Sequence, residues 1–270
     1  MNIVDTSLKV LAFGLLAMSP SAVAQTTAWT SDPVVSGEGC ENLEYGEMAQ
    51  FLDTYLAGSQ TYAGSEKESG AQMLLNYTIA SALVLRSQVC LAEALELKEI
   101  ADDLKQQQAV LTSGTSLSKR QVKKQRKLTE QANAEIEATA RELEALTPEQ
   151  RERFGKGTAA YLFGTYATGQ IFRSVDEYVV ESAAEVQQDA KPKKSRFGGI
   201  PGLNQVSDAA QGAASVFRKA TDVGVVFGGL KDHTVSLYET SRFLREYSEQ
   251  NEIDLPDDAT DRLAEVSDWV

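Results

Sequence analysis

Gly70-Ala71-Gln72-Met73-Leu74-Leu75-Asn76-Tyr77-Thr78-Ile79-Ala80-Ser81-Ala82-Leu83-Val84-Leu85 carries no charge and no proline. Ser65-Glu66-Lys67-Glu68 stands just before it and reads as a capping box. There the serine hydroxyl accepts from an early backbone N–H while Glu68 reaches back. Past Leu85 the pattern becomes amphipathic. Leu97, Ile100, Leu104 and Leu111 recur at three, four and seven residues, with Gln107 in the skipped slot. That is a heptad seam with one polar position. The spacing predicts one helix from residue 65 to about 111, far beyond the usual length.

Gly157 to Phe172 is a second uncharged stretch, and 220–230, with Asp222 as its one charge, is a comparable third apolar one. Gly157, Ala160, Gly164 and Ala167 make one narrow stripe of small residues. Such stripes let helix backbones approach closely, a device common in membrane helices. The expectation is that the three stretches shield one another as a shared core. Tyr161, Phe163, Tyr166 and Phe172 project elsewhere from the second stretch and are candidate lining for an apolar ligand.

Working outward, a first helix is expected from about 42 to 57. Its stripe is Tyr45, Met48, Phe51, Leu52 and Tyr55, at helical spacing. Thr112 to Ser116 reads as a turn. The helix after it carries Thr129, Ala132, Ile136, Thr139, Leu143 and Leu146, a thin seam that buries little area. Residues 95–145 therefore read as a long antiparallel coiled-coil-like hairpin, projecting roughly 30–45 Å from the body at helical rise. Thr147-Pro148-Glu149-Gln150 is a clear helix start, with Thr147 as cap, Pro148 at the first helical position and Gln150 completing the box. That helix is expected to run to about 190. A basic Gly/Pro linker, 191–206, follows. The remainder, 207–270, reads as C-terminal helices packing on the bundle. No strand pattern is present. The fold class expected is all-α, an elongated helical bundle, with residues 42–190 as its body.

The first residues give an address. Lys9, the apolar run Val10 to Met18, and Ala22-Val23-Ala24 before Gln25 have the layout of a cleaved secretory signal over 1–24. The run is too short to span a bilayer. Residues 25–41 are small and polar and read as a loose mature N-terminus. Two cysteines, Cys40 and Cys90, are expected to form a disulfide in an oxidising compartment. The chain-entropy model gives roughly 4 kcal/mol for closing a loop of about 50 residues. Export is expected, to the periplasm first and the medium second.

Net charge is −13, and an acidic surface repels nucleic acid and anionic lipid headgroups, so no nucleic-acid partner is expected. Chemistry finds little support. His233 is the single histidine, so a multi-histidine zinc site within one chain is excluded, and HExxH and Glu-x-x-His are absent. His233 reads as a surface residue near a cap. The carboxylates lie on polar faces. Asn76-Tyr77-Thr78 is a chance sequon inside an apolar stretch. No cofactor, metal or catalytic residue is expected, and the protein is not read as an enzyme.

One basic cluster stands out: Lys119, Arg120, Lys123, Lys124, Arg126 and Lys127. Glu93, Glu96, Glu99, Asp102 and Asp103 are expected to balance it across the hairpin. The alternative is a docking patch for an anionic lipid or glycan. The candidate contact residues at this tip are Thr112, Ser113, Gly114, Thr115, Lys119, Arg120, Lys123 and Lys124. Long hairpins on small-residue bundles also occur in secretion adaptors, helical pore-forming toxins and envelope scaffolds, an architectural likeness that transfers no function. The functional expectation is an exported structural or protein-interaction protein of the bacterial cell envelope. A lipid carrier and a membrane-active helical protein are the rivals.

Overall fold

The computed structural model describes residues 29–56, 66–113, 119–189 and 229–270. Side chains are included except at 66–72, 119 and 175–189. The expected signal 1–24, Ser65 and the Glu68 side chain of the capping box, Gly114 and Thr115, the linker 191–206 and a helix over 207–227 lie outside what is described.

The described chain is all-α. Its helices are α1 (Pro33–Ser36), α2 (Tyr45–Leu56), α3 (Glu66–Ala94), α4 (Lys98–Thr112), α5 (Lys119–Glu142), α6 (Pro148–Asp189), α7 (Leu230–Gln250) and α8 (Asp257–Val266). A 3-10 turn, Trp29–Ser31, precedes them. No strand occurs among the described residues.

Helices α3 and α6 form the centre, and the small-residue stripe explains how. A Cβ on Gly157 would stand 2.8 Å from Leu91 Cγ and 3.2 Å from the Leu91 backbone nitrogen. One on Gly164 would stand 2.7 Å from Val84 Cγ2 and 3.2 Å from the Val84 nitrogen. A heptad step up α6 matches a heptad step down α3, so the pair is antiparallel and stays in register. Ala160 and Ala167 are buried beside these contacts. The start of α6 is as the sequence predicts. The Thr147 N–H donates to Gln150 Oε1 at 2.9 Å, and the Gln150 N–H donates to Thr147 Oγ1 at 3.2 Å.

The long second helix is broken. Glu96 takes φ +62°, and the Leu97 N–H donates to the Ala92 carbonyl at 2.8 Å. This is a left-handed helix stop of the kind glycine usually supplies. Chain direction reverses there, and α4 folds back along α3. Its seam residues Ile100, Leu104, Gln107 and Leu111 are buried against the body. Helix α5 then lies on α3 and α7, with little contact to α4. The 95–145 segment is therefore no projecting prong. A seam thinned by Gln107, Thr129 and Ala132 offers too little apolar area to hold two helices in water, and each buries its stripe on the core instead.

Residues 29–41 are not loose either. Trp29, Val34 and Val35 are 2%, 3% and 0% exposed. Asp32 Oδ1 caps α1 by accepting from the Val34 N–H at 3.0 Å, with Pro33 at the first position. The segment is a strap across α3 and α4. Arg86 donates through Nη2 to the carbonyls of Glu38 (2.9 Å) and Glu41 (2.7 Å), and Gln108 donates to the Val35 carbonyl. Cys40 and Cys90 are joined by a disulfide, Cα–Cα 4.8 Å.

Helices α7 and α8 cover α6. The Thr165 and Ser241 hydroxyls share a hydrogen bond of 2.9 Å, and the Phe154 and Tyr247 rings meet at 5.0 Å. Trp269 covers Gly169. Met73–Ala94 of α3 is long and apolar enough to cross a membrane, yet 89% of its most apolar window is buried inside the bundle.

Candidate functional site

A cleft of about 820 Å³ lies between the strap, α4 and the first turns of α6, with α3 as its floor. Cys40 and Arg86 reach it. Burial lowers the Arg86 pKa to about 10, while Glu93, Glu41 and Glu38 act in the opposite direction, so the group stays cationic at neutral pH. The rim is self-neutralising. Lys105 pairs with Glu93 (2.8 Å), Arg153 with Glu149 (2.7 Å), and Lys156 with Glu44 (2.9 Å) and Glu152 (3.1 Å). These partners raise the Lys105 and Lys156 pKa values, mainly through hydrogen bonds to the carboxylates. Among the described residues no group of three or more His, Cys, Asp or Glu is arranged to hold a metal.

The four aromatic candidates do not surround one space. Tyr161 is fully buried and faces Asn133 of α5 and Thr240 of α7; burial raises its pKa. Phe163 and Tyr166 turn instead toward α8, where the Arg262 guanidinium lies over both rings at 5.5 and 5.2 Å. Phe172 is half-buried against the core. Of the four, Tyr166 lines a smaller cavity of about 280 Å³, with Leu52, Asp53, Leu56, Ala167, Gln170 and Arg262.

The outward face of α5 has a different character. Arg120, Lys123, Lys124 and Lys127 are all exposed. They stand at i, i+3, i+4 and i+7, which is one face of a helix. The opposite face, with Val122, Gln125, Thr129, Ala132, Asn133 and Ile136, is buried. It is fixed by polar contacts. Tyr77 donates its hydroxyl to Gln125 Oε1 at 3.1 Å, and Gln88 Nε2 donates to the Thr129 carbonyl (2.9 Å) and Asn133 Oδ1 (2.6 Å). Arg126 points inward, donating from Nε to the Tyr77 hydroxyl at 3.1 Å with its guanidinium over the Tyr77 ring.

His233 belongs to this interior, not to the surface. It sits one turn into α7, is 3% exposed, and its Nδ1 has no partner among the described residues. Burial, helped by nearby Arg126, lowers its pKa to about 3. The imidazole is therefore neutral. Asn76 is fully buried, which leaves no room for a glycan.

The expected charge balance across the hairpin is not formed at Arg120, Lys123, Lys124 or Lys127. Glu93 pairs with Lys105 of α4. Among the described residues, no carboxylate pairs with Arg120, Lys123, Lys124 or Lys127. The reason is the fold: α4 lies on α3, so its acidic face does not meet α5. Of the other tip residues, Thr112 is half-buried and donates to the Gln108 carbonyl at 3.0 Å, while Ser113 is exposed and donates to the Val110 carbonyl. The side chain of Lys119 is not described. Sequence reasoning missed the Tyr77–Gln125–Arg126 lock, whose one signal is Arg126 falling on the apolar side of an otherwise outward basic run.

Comparison with family models, with curated proteins and with solved structures finds no match to this chain.

Proposed function

We propose that this is an exported protein of the bacterial cell envelope that works by docking, without chemistry of its own, and that it engages an anionic partner through the outward face of α5. The observation that carries this reading is the set of four exposed, unpaired cations on a chain whose net charge is −13. A protein of that sign repels anionic partners at long range, so a local cationic face supplies the attraction and fixes the orientation of approach. The Cys40–Cys90 bridge and the signal layout of residues 1–24 support export. The hydrogen bonds that hold the buried face of α5 to α3 support a rigid presentation of the lysines.

The experiment is photo-crosslinking from position 124 in the native envelope. Products are expected, and they are expected to fade when Lys123→Glu and Lys127→Glu are introduced together. Products that persist unchanged in that variant would remove this reading.

A further inference from the structure

Resting on that docking face, we infer that its partner is the surface of an anionic phospholipid bilayer. Three observations point to lipid over a shaped protein epitope. The face is lysine-rich: Lys123, Lys124 and Lys127 with one arginine, Arg120. Protein interfaces are depleted in lysine and enriched in aromatic residues and arginine, and specific ones centre on a buried anchor. The exposed positions that continue this face, Glu130 and Gln131, supply no aromatic anchor. A convex helix face with long, mobile ammonium groups fits a diffuse sheet of negative charge, where each cation near the surface adds to binding without needing a fixed partner.

The neighbouring chain agrees. From Gln106 to Ser113 the end of α4 is uncharged, and its exposed residues include Val110, one of two exposed large apolar side chains among the described residues. The acidic residues of α4 sit toward its other end. About 15 Å of helix separates Asp103 from Ser113. That exceeds the Debye length of about 8 Å at physiological salt, so their repulsion is screened at the tip. Among the described residues, charge is thus segregated along α4 and α5, with the exposed cations and the uncharged turns at one end.

The test uses the purified mature chain in vesicle flotation. One set of vesicles is phosphatidylcholine alone, the other carries about 30% phosphatidylglycerol. The chain is expected to float with the anionic vesicles only, and to be released at about 0.5 M salt, where the Debye length is a few ångströms. Lys123→Glu/Lys124→Glu should lower partitioning by at least about tenfold. Lys98→Glu/Arg242→Glu, an equal change of net charge at exposed sites elsewhere, should leave it within about twofold of the parent. Equal binding to both vesicles, or equal loss in both variants, would overturn the inference. So would absence of flotation together with crosslinks from position 124 to a protein, although docking by α5 would then stand. Absence of flotation with crosslinks indifferent to the lysines sinks both.

Discussion

Helix α3 meets α6 and α5 through opposite kinds of chemistry. Against α6 it presents Val84 and Leu91 to Gly157 and Gly164, and the backbones come as close as the missing Cβ atoms allow. Against α5 it presents Tyr77 and Gln88 to Gln125, Thr129 and Asn133. The first interface gains from apolar burial and dispersion, which add with every contact. The second exchanges water hydrogen bonds for protein ones, a net gain of about 1 kcal/mol each. It also leaves Gln88 Oε1, Gln125 Nε2, Thr129 Oγ1 and Asn133 Nδ2 buried with no partner among the described residues. The lesson is a division of labour: α3–α6 supplies stability, while α3–α5 sets the angle at which α5 shows its lysines.

The largest effect should come from filling the close interface. Gly164→Leu puts a side chain where a Cβ alone stands 2.7 Å from Val84, and overpacking of this kind should cost about 3 kcal/mol or more. Urea unfolding measures it, and adding Val84→Ala should recover part of the loss. A cost below about 1 kcal/mol would mean that the helices slide apart easily, against the picture of a rigid centre.

The next effect is a pH dependence of the polar side. The folded pKa of His233, about 3, lies below its unfolded value near 6.5. Its contribution is fully present above about pH 6.5. As pH falls toward 3, the unfolded chain takes the proton first and stability drops, by at most roughly 1.4 kcal/mol per pH unit. Unfolding free energies at pH 7, 6 and 5 should show the slope, and His233→Leu should flatten it. Parallel slopes in both proteins would place the histidine in contact with water.

The smallest effects separate polar pairing from polar burial. Gln88→Leu alone strands Asn133 Oδ1 and should cost about 1–2 kcal/mol. Gln88→Leu with Asn133→Leu removes both partners and should return to within about 1 kcal/mol of the parent. The double variant is also expected to keep the lysine face in place. A vesicle-binding loss in this well-folded double variant would show that the polar contacts orient α5 in a way apolar packing cannot replace.

Much of this fold is legible in the sequence, and the illegible parts share a cause. Thr147, Pro148 and Gln150 announce α6 because a cap is a local interaction among neighbouring residues. The Gly157–Gly164 stripe is legible because helical spacing alone puts small residues on one face. The reversal at Glu96 is not, since a glutamate in a left-handed conformation has no compositional mark and the heptad seam runs through it. Nor is the docking of the strap, where three apolar residues outweigh a polar setting only because α3 and α4 leave a surface for them. The unpaired lysines follow from the same hidden turn. Of their expected partners, Glu99, Asp102 and Asp103 are on α4, which lies elsewhere, and Glu93 on α3 is taken by Lys105.

Arg86 has a second consequence if the chain follows the proposed export route. It sits within Met73–Ala94, the one described stretch able to span a bilayer by length and composition. In a translocating, unfolded chain such a stretch resembles a stop signal. A guanidinium near its middle raises the cost of lodging there by about 2.5–3.5 kcal/mol. On the proposed export route, the side chain that tethers the strap in the folded protein would also favour passage of this segment through the membrane, and Arg86→Leu should leave more of the chain in the membrane fraction.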